Sequence, residues 1–523
     1  LEVPLSPLEF ARRSRRLYGG REAVVDGARR FTYEQFLERC DRWSSALQRL
    51  GVSPGDRVAV VSCNGAALLE AFYAVPQIGA VLVPINYRLG GDDIAYILEH
   101  SGARVVCALG DSRELVDRIR EKTPGVAQRV AFDGPRPGWV DYEAEIERAD
   151  PSFRPAPIGE NDLLALNYTS GTTARPKGVM ITHRNAYMNS IGTLLHHPMT
   201  VEDRYLWTLP MFHANGWTFV WTVTAAGATH VCIPRPEPTA VFEAVAREKV
   251  TMLCAAPTVL IGISGSPEAL RRGARRGVRV LTAGAPPAAA TIERVEGELG
   301  WTITQAYGLT ETSPFITVCE PRPEHGRLDA AGKAAVKARQ GVELLTSGEV
   351  RVVDAEDREV PHDGETIGEI VVRGNVVMDG YFRDPEATAE AMRGGWFHSG
   401  DAAVVHPDGY VEIRDRFKDV IISGGENVSS IAVEGVLLRH SAVQEAAVIG
   451  VPHEKWGEVP HAFVVLRPGE SVSEEELLGF ARERLAGFQT PKGVTFLDEL
   501  PKTATGKVQK FVLRGGRPAI ARQ

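Results

Sequence analysis

The chain has 523 residues, 44% hydrophobic and 24% charged, with a formal net charge of −8 at neutral pH. That length exceeds what one hydrophobic core supports, so two or more domains are expected, and the composition is that of an ordinary soluble protein. The negative balance argues against a nucleic-acid surface as the main interaction. The 6 cysteines include no C-x-x-C pair and no grouping with histidine at zinc-ligand spacing, so they read as buried, reduced thiols rather than a metal site. The longest apolar run, Ala66 to Ile85, is broken by Glu70, Pro76 and Gln77 and fails as a membrane span. Neither a secretory nor a peroxisomal signal is recognised, so a cytoplasmic location is expected.

In chain order, Ser6-Pro7-Leu8-Glu9 has the form of a capping box with proline at the first helical position, and predicts a helix of about ten residues. Arg30 to Gln35 is expected to open a second helix, in which Phe36, Leu37, Cys40, Trp43, Leu47 and Leu50 recur at helical spacing before Gly51. Strands are expected at 57–61, 81–84 and 105–109, alternating with helices at 66–74 and 94–100. Buried strands alternating with helices predict a layered α/β fold. The stretch from Pro135 to Pro157, rich in proline and charge, reads as a surface connection.

The stretch Tyr168-Thr169-Ser170-Gly171-Thr172-Thr173-Ala174-Arg175-Pro176-Lys177-Gly178-Val179 packs four Ser/Thr hydroxyls, two glycines and a lysine between two apolar strands. Such a turn presents N–H groups and hydroxyls to an anion, and Lys177 adds a mobile positive charge. The order suits nucleotide phosphates, although the Walker spacing is absent. Downstream, the strand at Leu206–Pro210 delivers Met211-Phe212-His213-Ala214-Asn215-Gly216-Trp217, and Arg279–Thr282 runs into the turn Ala283-Gly284-Ala285-Pro286. Thr304-Gln305-Ala306-Tyr307-Gly308-Leu309-Thr310-Glu311 places a carboxylate where a hard cation would also find phosphate oxygens. Read alone, Glu311 equally suits a helix N-terminus. Gly400-Asp401 offers a carboxylate able to accept two hydroxyls, or its own turn backbone. Ile367–Gly374 and Gly380-Tyr381 read as a small β-rich region. Beyond Asp415-Arg416-Phe417-Lys418-Asp419 and Gly424-Gly425-Glu426-Asn427, strands at 446–450 and 462–465 and a helix at 474–485 predict a small α/β domain ending in Pro501-Lys502-Thr503-Ala504-Thr505-Gly506-Lys507.

Taken together, these segments resemble the adenylate-forming superfamily of acyl-CoA synthetases, amino-acid adenylation domains and luciferases, over nearly the whole chain. Ala174 stands where that family usually has glycine, and Ser399 where it usually has threonine. The resemblance implies an α/β fold with three parts. They are a large N-terminal domain of layered α/β subdomains with a small β-subdomain (1–414), a hinge (415–418) turning about Lys418, and a small mobile C-terminal lid (419–523). It implies that ATP and its AMP product are held by Thr169, Ser170, Gly171, Thr172, Thr173, Lys177, Gly284, Ala285, Pro286, Tyr307, Gly308, Asp401 and Arg416. Mg²⁺ would sit on Glu311 with Thr172. The acyl group would lie against His213, Asn215, Trp217, Ala283 and Gly308, with the 218–226 segment lining its pocket, and Phe219 and Trp221 beside Trp217 would shorten it. CoA would pass Gly425 and Glu426. Lys507, Thr310, Glu311 and His213 would carry the chemistry, which converts a carboxylic acid to acyl-AMP and then to an acyl-CoA thioester. Within the superfamily the chain looks most like short- or medium-chain and aromatic acyl-CoA ligases. Two alternatives stay open at this point: a free-standing enzyme that loads a carrier protein, and a non-catalytic nucleotide-binding protein. The partners expected are the acid, ATP and CoA, with no nucleic acid and no transmembrane segment, and a homodimer is possible.

Overall fold

The computed structural model describes residues 1–169, 176–423, 426–503 and 508–515. Ser170, Gly171, Thr172, Thr173, Ala174, Gly425 and Lys507, singled out above, lie outside the described residues.

Two large sheets dominate. The first has eight strands in the order Gly380–Tyr381, Lys177–Thr182, Leu163–Thr169, Val81–Ile85, Arg57–Val61, Ala103–Ala108, Gln128–Ala131, Val140–Asp141. The second has nine, in the order Val342–Glu343, Phe315–Val318, Thr302–Gly308, Arg279–Thr282, Met252–Ala255, Arg204–Trp207, Thr229–Cys232, Glu22–Asp26, Arg29–Thr32. The central strands, Arg57–Val61, Val81–Ile85 and Ala103–Ala108 in the first sheet and Arg204–Trp207, Met252–Ala255 and Arg279–Thr282 in the second, are parallel and buried, as the continuous apolar runs require, whereas Lys177–Thr182 and Phe315–Val318 run antiparallel to their neighbours. One core spans both sheets, joining Val58, Val60 and Leu82 to Trp207, Leu281 and Ala306 through helices Tyr33–Arg49, Ala66–Ala74 and Phe219–Ala226. Each fully buried aromatic or aliphatic side chain there contributes about 1.5–3 kcal/mol.

The helix Tyr33–Arg49 begins as its sequence demands. Thr32 accepts from Gln35 N while the Gln35 side chain returns to Thr32 N, and Phe36, Trp43 and Leu47 turn inward. Three expectations need correction. The first helix, Leu8–Tyr18, is capped by Ser6, whose hydroxyl accepts from Leu8 N at 3.3 Å and meets His183 Nδ1 at 2.8 Å, but the capping box stays half-formed because Glu9 pairs with Arg12 instead of returning to Ser6. Residues 29–32 are the outer strand of a hairpin with Glu22–Asp26, not the start of a helix. The 135–157 stretch holds a helix, Tyr142–Arg148, anchored by fully buried Tyr142 and by Ile146.

A four-stranded antiparallel sheet, Glu349–Val353, Gly368–Arg373, Phe397–Val405 and Val411–Arg416, follows. Beyond it, strands Ile421–Ser423, Glu426–Val428, Val443–His453, Gly457–Leu466 and Val494–Phe496 form a separate sheet. Helices Ser430–Leu437 and Glu474–Arg482 cover that sheet with a core of their own. Polar contacts join this unit to the preceding strand. Asp415 accepts from Ser430 N at 3.0 Å and from the Ser430 hydroxyl, Ser429 Oγ donates to Arg414 O, and Lys510 reaches both Ser430 Oγ and Glu434. No helix among the described residues is long and apolar enough to cross a membrane.

Candidate active site

Parallel α/β sheets place their ligands beyond the carboxyl ends of the strands, and the singled-out residues gather there. Thr169 closes the strand Leu163–Thr169 and is the direct partner of Lys177, which opens the returning strand, so the loop between them is held as a hairpin at its base. The Lys177 ammonium lies 4.7 Å from the centroid of the Tyr381 ring. Near the end of the chain, Lys502 and Val508 are joined by an antiparallel bridge.

The strand Thr302–Gly308 carries the next of these residues. At Gly308 a Cβ would lie 1.8 Å from the carbonyl oxygen of Pro314, so only glycine lets the chain pass this close to its own return. The intervening short 3₁₀ turn, Thr310–Thr312, carries Thr310 and Glu311. Met378 N donates to Glu311 O at 2.8 Å and the Tyr381 hydroxyl donates to Glu311 Oε1 at 3.0 Å. Tyr307 donates to Asp401 Oδ2 at 2.6 Å, and Arg416 Nε meets Asp401 Oδ1 at 2.6 Å. Asp401 and Arg416 are register partners across strands Phe397–Val405 and Val411–Arg416, which fixes that geometry in the backbone. Burial, and after it Asp401, push the Tyr307 phenol well up, so it stays a donor. Burial alone would lower the Arg416 pKa, but Asp401, then Tyr307 and Glu311, hold it above its ordinary value. The Asp401 carboxylate uses two of about four lone-pair sites on these partners and keeps the rest for a ligand.

The segment that carries His213, Asn215 and Trp217 is a single run of chain. Asn64 Nδ2 donates to Trp207 O at 3.1 Å and to Leu209 O at 2.8 Å, while Met211 N donates to Asn64 Oδ1 at 2.8 Å. Asn167 Nδ2 donates to Phe212 O at 3.2 Å. After half-buried His213 the backbone turns left-handed for five residues: φ is 38° at Ala214, 47° at Asn215, 57° at Gly216, 51° at Trp217 and 68° at Thr218. Non-glycine residues in that region cost about 1–2 kcal/mol each. The run is pinned by Thr218 N to Asn215 O at 3.0 Å and by Thr218 Oγ1 to Ser190 Oγ at 2.7 Å. Asn167 Oδ1 and Asn215 Oδ1 are buried without a hydrogen-bond partner among the described residues.

Trp217 meets Phe315 edge-on at 5.8 Å, and a Cβ at Gly284 would lie 3.5 Å from its Cζ2, so this ring faces the turn Ala283-Gly284-Ala285-Pro286. Ala283 is buried at that turn, whereas Gly284 is exposed and Ala285 and Pro286 half-buried. Phe219 and Trp221 do not join Trp217: Phe219 stacks on Tyr205 at 4.7 Å and Trp221 abuts Phe72 at 5.9 Å, both in the core behind. The cause is the left-handed turn, which sets Trp217 off from the right-handed helix Phe219–Ala226. That helix rests on a buried polar group. Trp207 Nε1 donates to His230 Nδ1 at 3.2 Å, so this nitrogen carries no proton, and Nε2 meets Thr224 Oγ1 at 3.1 Å. Burial lowers the His230 pKa to about 3.

Phe417–Asp419 is a short 3₁₀ turn between the two units, so Lys418 lies between them, and Glu426 opens the strand Glu426–Val428. Three residues that hold the site were not marked by sequence reasoning: Asn64, Asn167 and Tyr381. Only the pair Gly380-Tyr381 carried a signal, as a strand end. Among the described residues there is no cluster of three or more His, Cys, Asp or Glu side chains able to hold a metal. A lone carboxylate at Glu311 beside a phosphate-type loop fits Mg²⁺, which takes one or two carboxylates and completes its shell with phosphate oxygens and water.

Comparison with known proteins gives a consistent result. The AMP-binding enzyme family matches residues 10–382, and the AMP-binding enzyme C-terminal domain matches residues 432–507. The chain is 40% identical to a peroxisomal trans-cinnamate:CoA ligase of Petunia hybrida, over 98% of this chain and 94% of that protein. It is 42% identical to 4-hydroxybutyrate–CoA ligase 2 of Metallosphaera sedula, over 99% and 95%. Among solved structures, an anthranilate CoA ligase in complex with anthranoyl-AMP superposes with a TM-score of 0.90 at 26% identity, covering 98% of both chains. A benzoate CoA ligase from Burkholderia xenovorans superposes with a TM-score of 0.86 at 28% identity, covering 97% of this chain and 99% of that one.

Proposed function

We propose, for a chain that belongs to the AMP-binding enzyme family and is an ATP-dependent, AMP-forming acid–thiol ligase, the following division of labour within one cleft. A carboxylate oxygen of the acid attacks the α-phosphorus of ATP, a P–O bond breaks, and pyrophosphate leaves. The CoA sulfur then attacks the acyl carbon of the mixed anhydride and AMP leaves. The first step gathers negative charge on phosphate oxygens, so positive groups and fixed donors are what the protein must supply.

In this reading Asp401 and Arg416 take the ribose, and Tyr307, Gly308, Gly284, Ala285 and Pro286 flank the adenine. Thr310 donates to the α-phosphate. Lys177, Thr169 and the loop hydroxyls of Ser170, Thr172 and Thr173, with the Gly171 backbone, hold the leaving pyrophosphate. Glu311 and Thr172 would hold Mg²⁺, which when bound supplies charge neutralisation to those phosphates. His213 lies between the acyl carboxylate and the path of CoA, which passes Gly425 and Glu426. Lys507 bridges the acid and the α-phosphate, and rotation of residues 419–523 about Lys418, within the hinge 415–418, exchanges the adenylation pose for the thioester pose. The observation that carries this reading is the convergence of Lys177, Glu311, Asp401 and Arg416, drawn together through the Tyr381 and Tyr307 rings.

A short or aromatic acid is the substrate class that Trp217 against Gly284 supports, and the names of the full-length relatives point the same way. Those relatives also favour CoA over a carrier protein as the acceptor. A cytoplasmic setting fits cysteines of which Cys40, Cys107, Cys232, Cys254 and Cys319 are buried, and light scattering would test for a homodimer.

The deciding experiment is Lys507→Ala in the two half-reactions. Pyrophosphate release from acid and ATP should fall about 10²–10³-fold. Thioester formation from synthetic acyl-adenylate and CoA should stay within about tenfold, because the lysine then points away from the cleft. Equal loss in both contradicts the two-pose mechanism. The same assay across acids of increasing length and benzoates tests the substrate class, and an optimum at long-chain acids would sink it.

A further inference from the structure

The dipeptide Gly380-Tyr381 is an edge strand of the eight-stranded sheet, paired with the strand that starts at Lys177 in the register Gly380 to Met180 and Tyr381 to Val179. Hydrogen bonds close it on both sides, Asp379 N to Met180 O at 3.0 Å and Phe382 N to Gly178 O at 2.7 Å. Tyr381 N donates to Thr388 Oγ1 at 2.9 Å, and a Cβ at Gly380 would lie 2.9 Å from Thr388 Cγ2, so the tyrosine is held firmly from behind.

From that fixed base one ring meets two opposite charges. Its face lies 4.7 Å from the Lys177 ammonium and its hydroxyl donates to Glu311 Oε1 at 3.0 Å. A cation over a tyrosine face is attracted to the ring quadrupole, and a hydroxyl on a carboxylate makes a charge-assisted bond. No ion pair joins Lys177 to Glu311 among the described residues. Such a pair would neutralise both groups and leave neither available to a nucleotide.

We propose that Tyr381 is a positioning residue for the adenylation step. Its hydroxyl occupies Glu311 Oε1 and leaves Oε2 as the oxygen offered to a divalent cation. Its face holds the Lys177 ammonium on the phosphate side and apart from Glu311. The inference rests on the reading of Glu311 and Lys177 given above.

The test separates the two contacts. Tyr381→Phe keeps the ring and removes the hydroxyl, whereas Tyr381→Leu removes both. Dissociation constants for ATP, with Mg²⁺ and with the metal chelated, would be measured by calorimetry on the full-length protein. Tyr381→Phe should bind metal-free ATP within about twofold of wild type and lose about tenfold for Mg·ATP, the scale of one hydrogen bond to a charged group. Tyr381→Leu should lose affinity for both forms. If Tyr381→Phe weakens both forms equally, the tyrosine is only structural and the inference is overturned. If Tyr381→Leu binds metal-free ATP as Tyr381→Phe does, the ring does not place Lys177. Glu311→Gln provides the control for the underlying reading. Should it retain the full gain from Mg²⁺, the metal assignment fails. Should it lose that gain while Tyr381→Phe keeps it, only the role of Tyr381 fails.

Discussion

On the nucleotide side of the cleft, Tyr307, Asp401 and Arg416 come from three strands and satisfy one another through side chains at 2.6 Å. On the acyl side, Pro210–Thr218 is one run of chain, held by Asn64, Asn167 and its own left-handed backbone, with two amide oxygens unpartnered. The first wall is assembled from distant residues whose polar groups are already paired. The second is local, strained, and polar where it faces inward. On the roles proposed above, the difference teaches that the ATP side would be preorganised by electrostatics, which changes little from one acid to another. The acyl side is shaped by backbone conformation and ring packing, which can be altered without disturbing the first.

Glycine-to-alanine changes give the sharpest contrast. Gly308→Ala puts a Cβ 1.8 Å from a backbone oxygen that cannot move, so destabilisation of about 4 kcal/mol or more and loss of pyrophosphate release are expected. Gly216→Ala meets the edge of the Trp207 ring at 2.6 Å with φ at +57°, and should cost about 1–3 kcal/mol while ATP binding survives. Chemical denaturation together with ATP affinity would check both, and equal loss of ATP binding would erase the distinction between the walls.

Acid should weaken the acyl side first. His230 in the unfolded chain takes up a proton near its ordinary 6.5, but the folded protein resists to about 3. Between those values the unfolded state holds the extra proton. The His230 contribution is therefore complete above 6.5 and is lost as pH falls toward 3, at up to about 1.4 kcal/mol per pH unit. Buried His183 and His197, lowered to about 4 and about 3, act in the same direction. Unfolding free energies measured from pH 8 to pH 4 should slope accordingly, and a flat profile would show that these histidines ionise in place.

Asp401→Asn keeps the shape that Tyr307 grips but removes the charge facing Arg416. KM for ATP should rise about tenfold, the scale of one charged hydrogen bond. The stability cost should be about 3 kcal/mol, above that of a surface pair, because Asp401 is only 7% exposed and asparagine leaves the guanidinium without its counter-charge. Steady-state kinetics and thermal melts would report these separately. The smallest effect is expected at Trp217→Leu, which gives space beside Gly284. Relative kcat/KM should shift toward longer acids by about three- to tenfold, the worth of one or two methylenes in a pocket. An unchanged preference would place the specificity determinant elsewhere.

The sequence carried the helix Tyr33–Arg49 and the buried parallel strands, because their apolar residues repeat at the correct period. It hid the hairpin at 22–32, whose outer strand bears Arg29 and Arg30 and faces solvent, and the helix at 142–148, where flanking prolines mask a few buried anchors. Lys177, Glu311 and Asp401 stood out because each sits in a distinctive local string. Asn64, Asn167 and Tyr381 did not, since their roles arise from contacts with residues far along the chain. The left-handed turn had only Asn215-Gly216 to announce it, and neither Trp217 nor Thr218 normally adopts such a backbone.

The small set of polar contacts that Arg414 and Asp415 make with Ser429 and Ser430 also bears on tempo under the proposed rotation. Turning the terminal unit about 415–418 would release bonds worth only about 1 kcal/mol each. On that reading the orientation would be a shallow well whose dwell time depends on a few hydroxyls lying away from any reacting atom. Ser430→Ala would shorten that dwell, and an added apolar contact near Ile431, which packs on the four-stranded sheet's core, would lengthen it. Under the proposed rotation, turnover frequency would therefore be adjustable at this seam, independently of the acid activated.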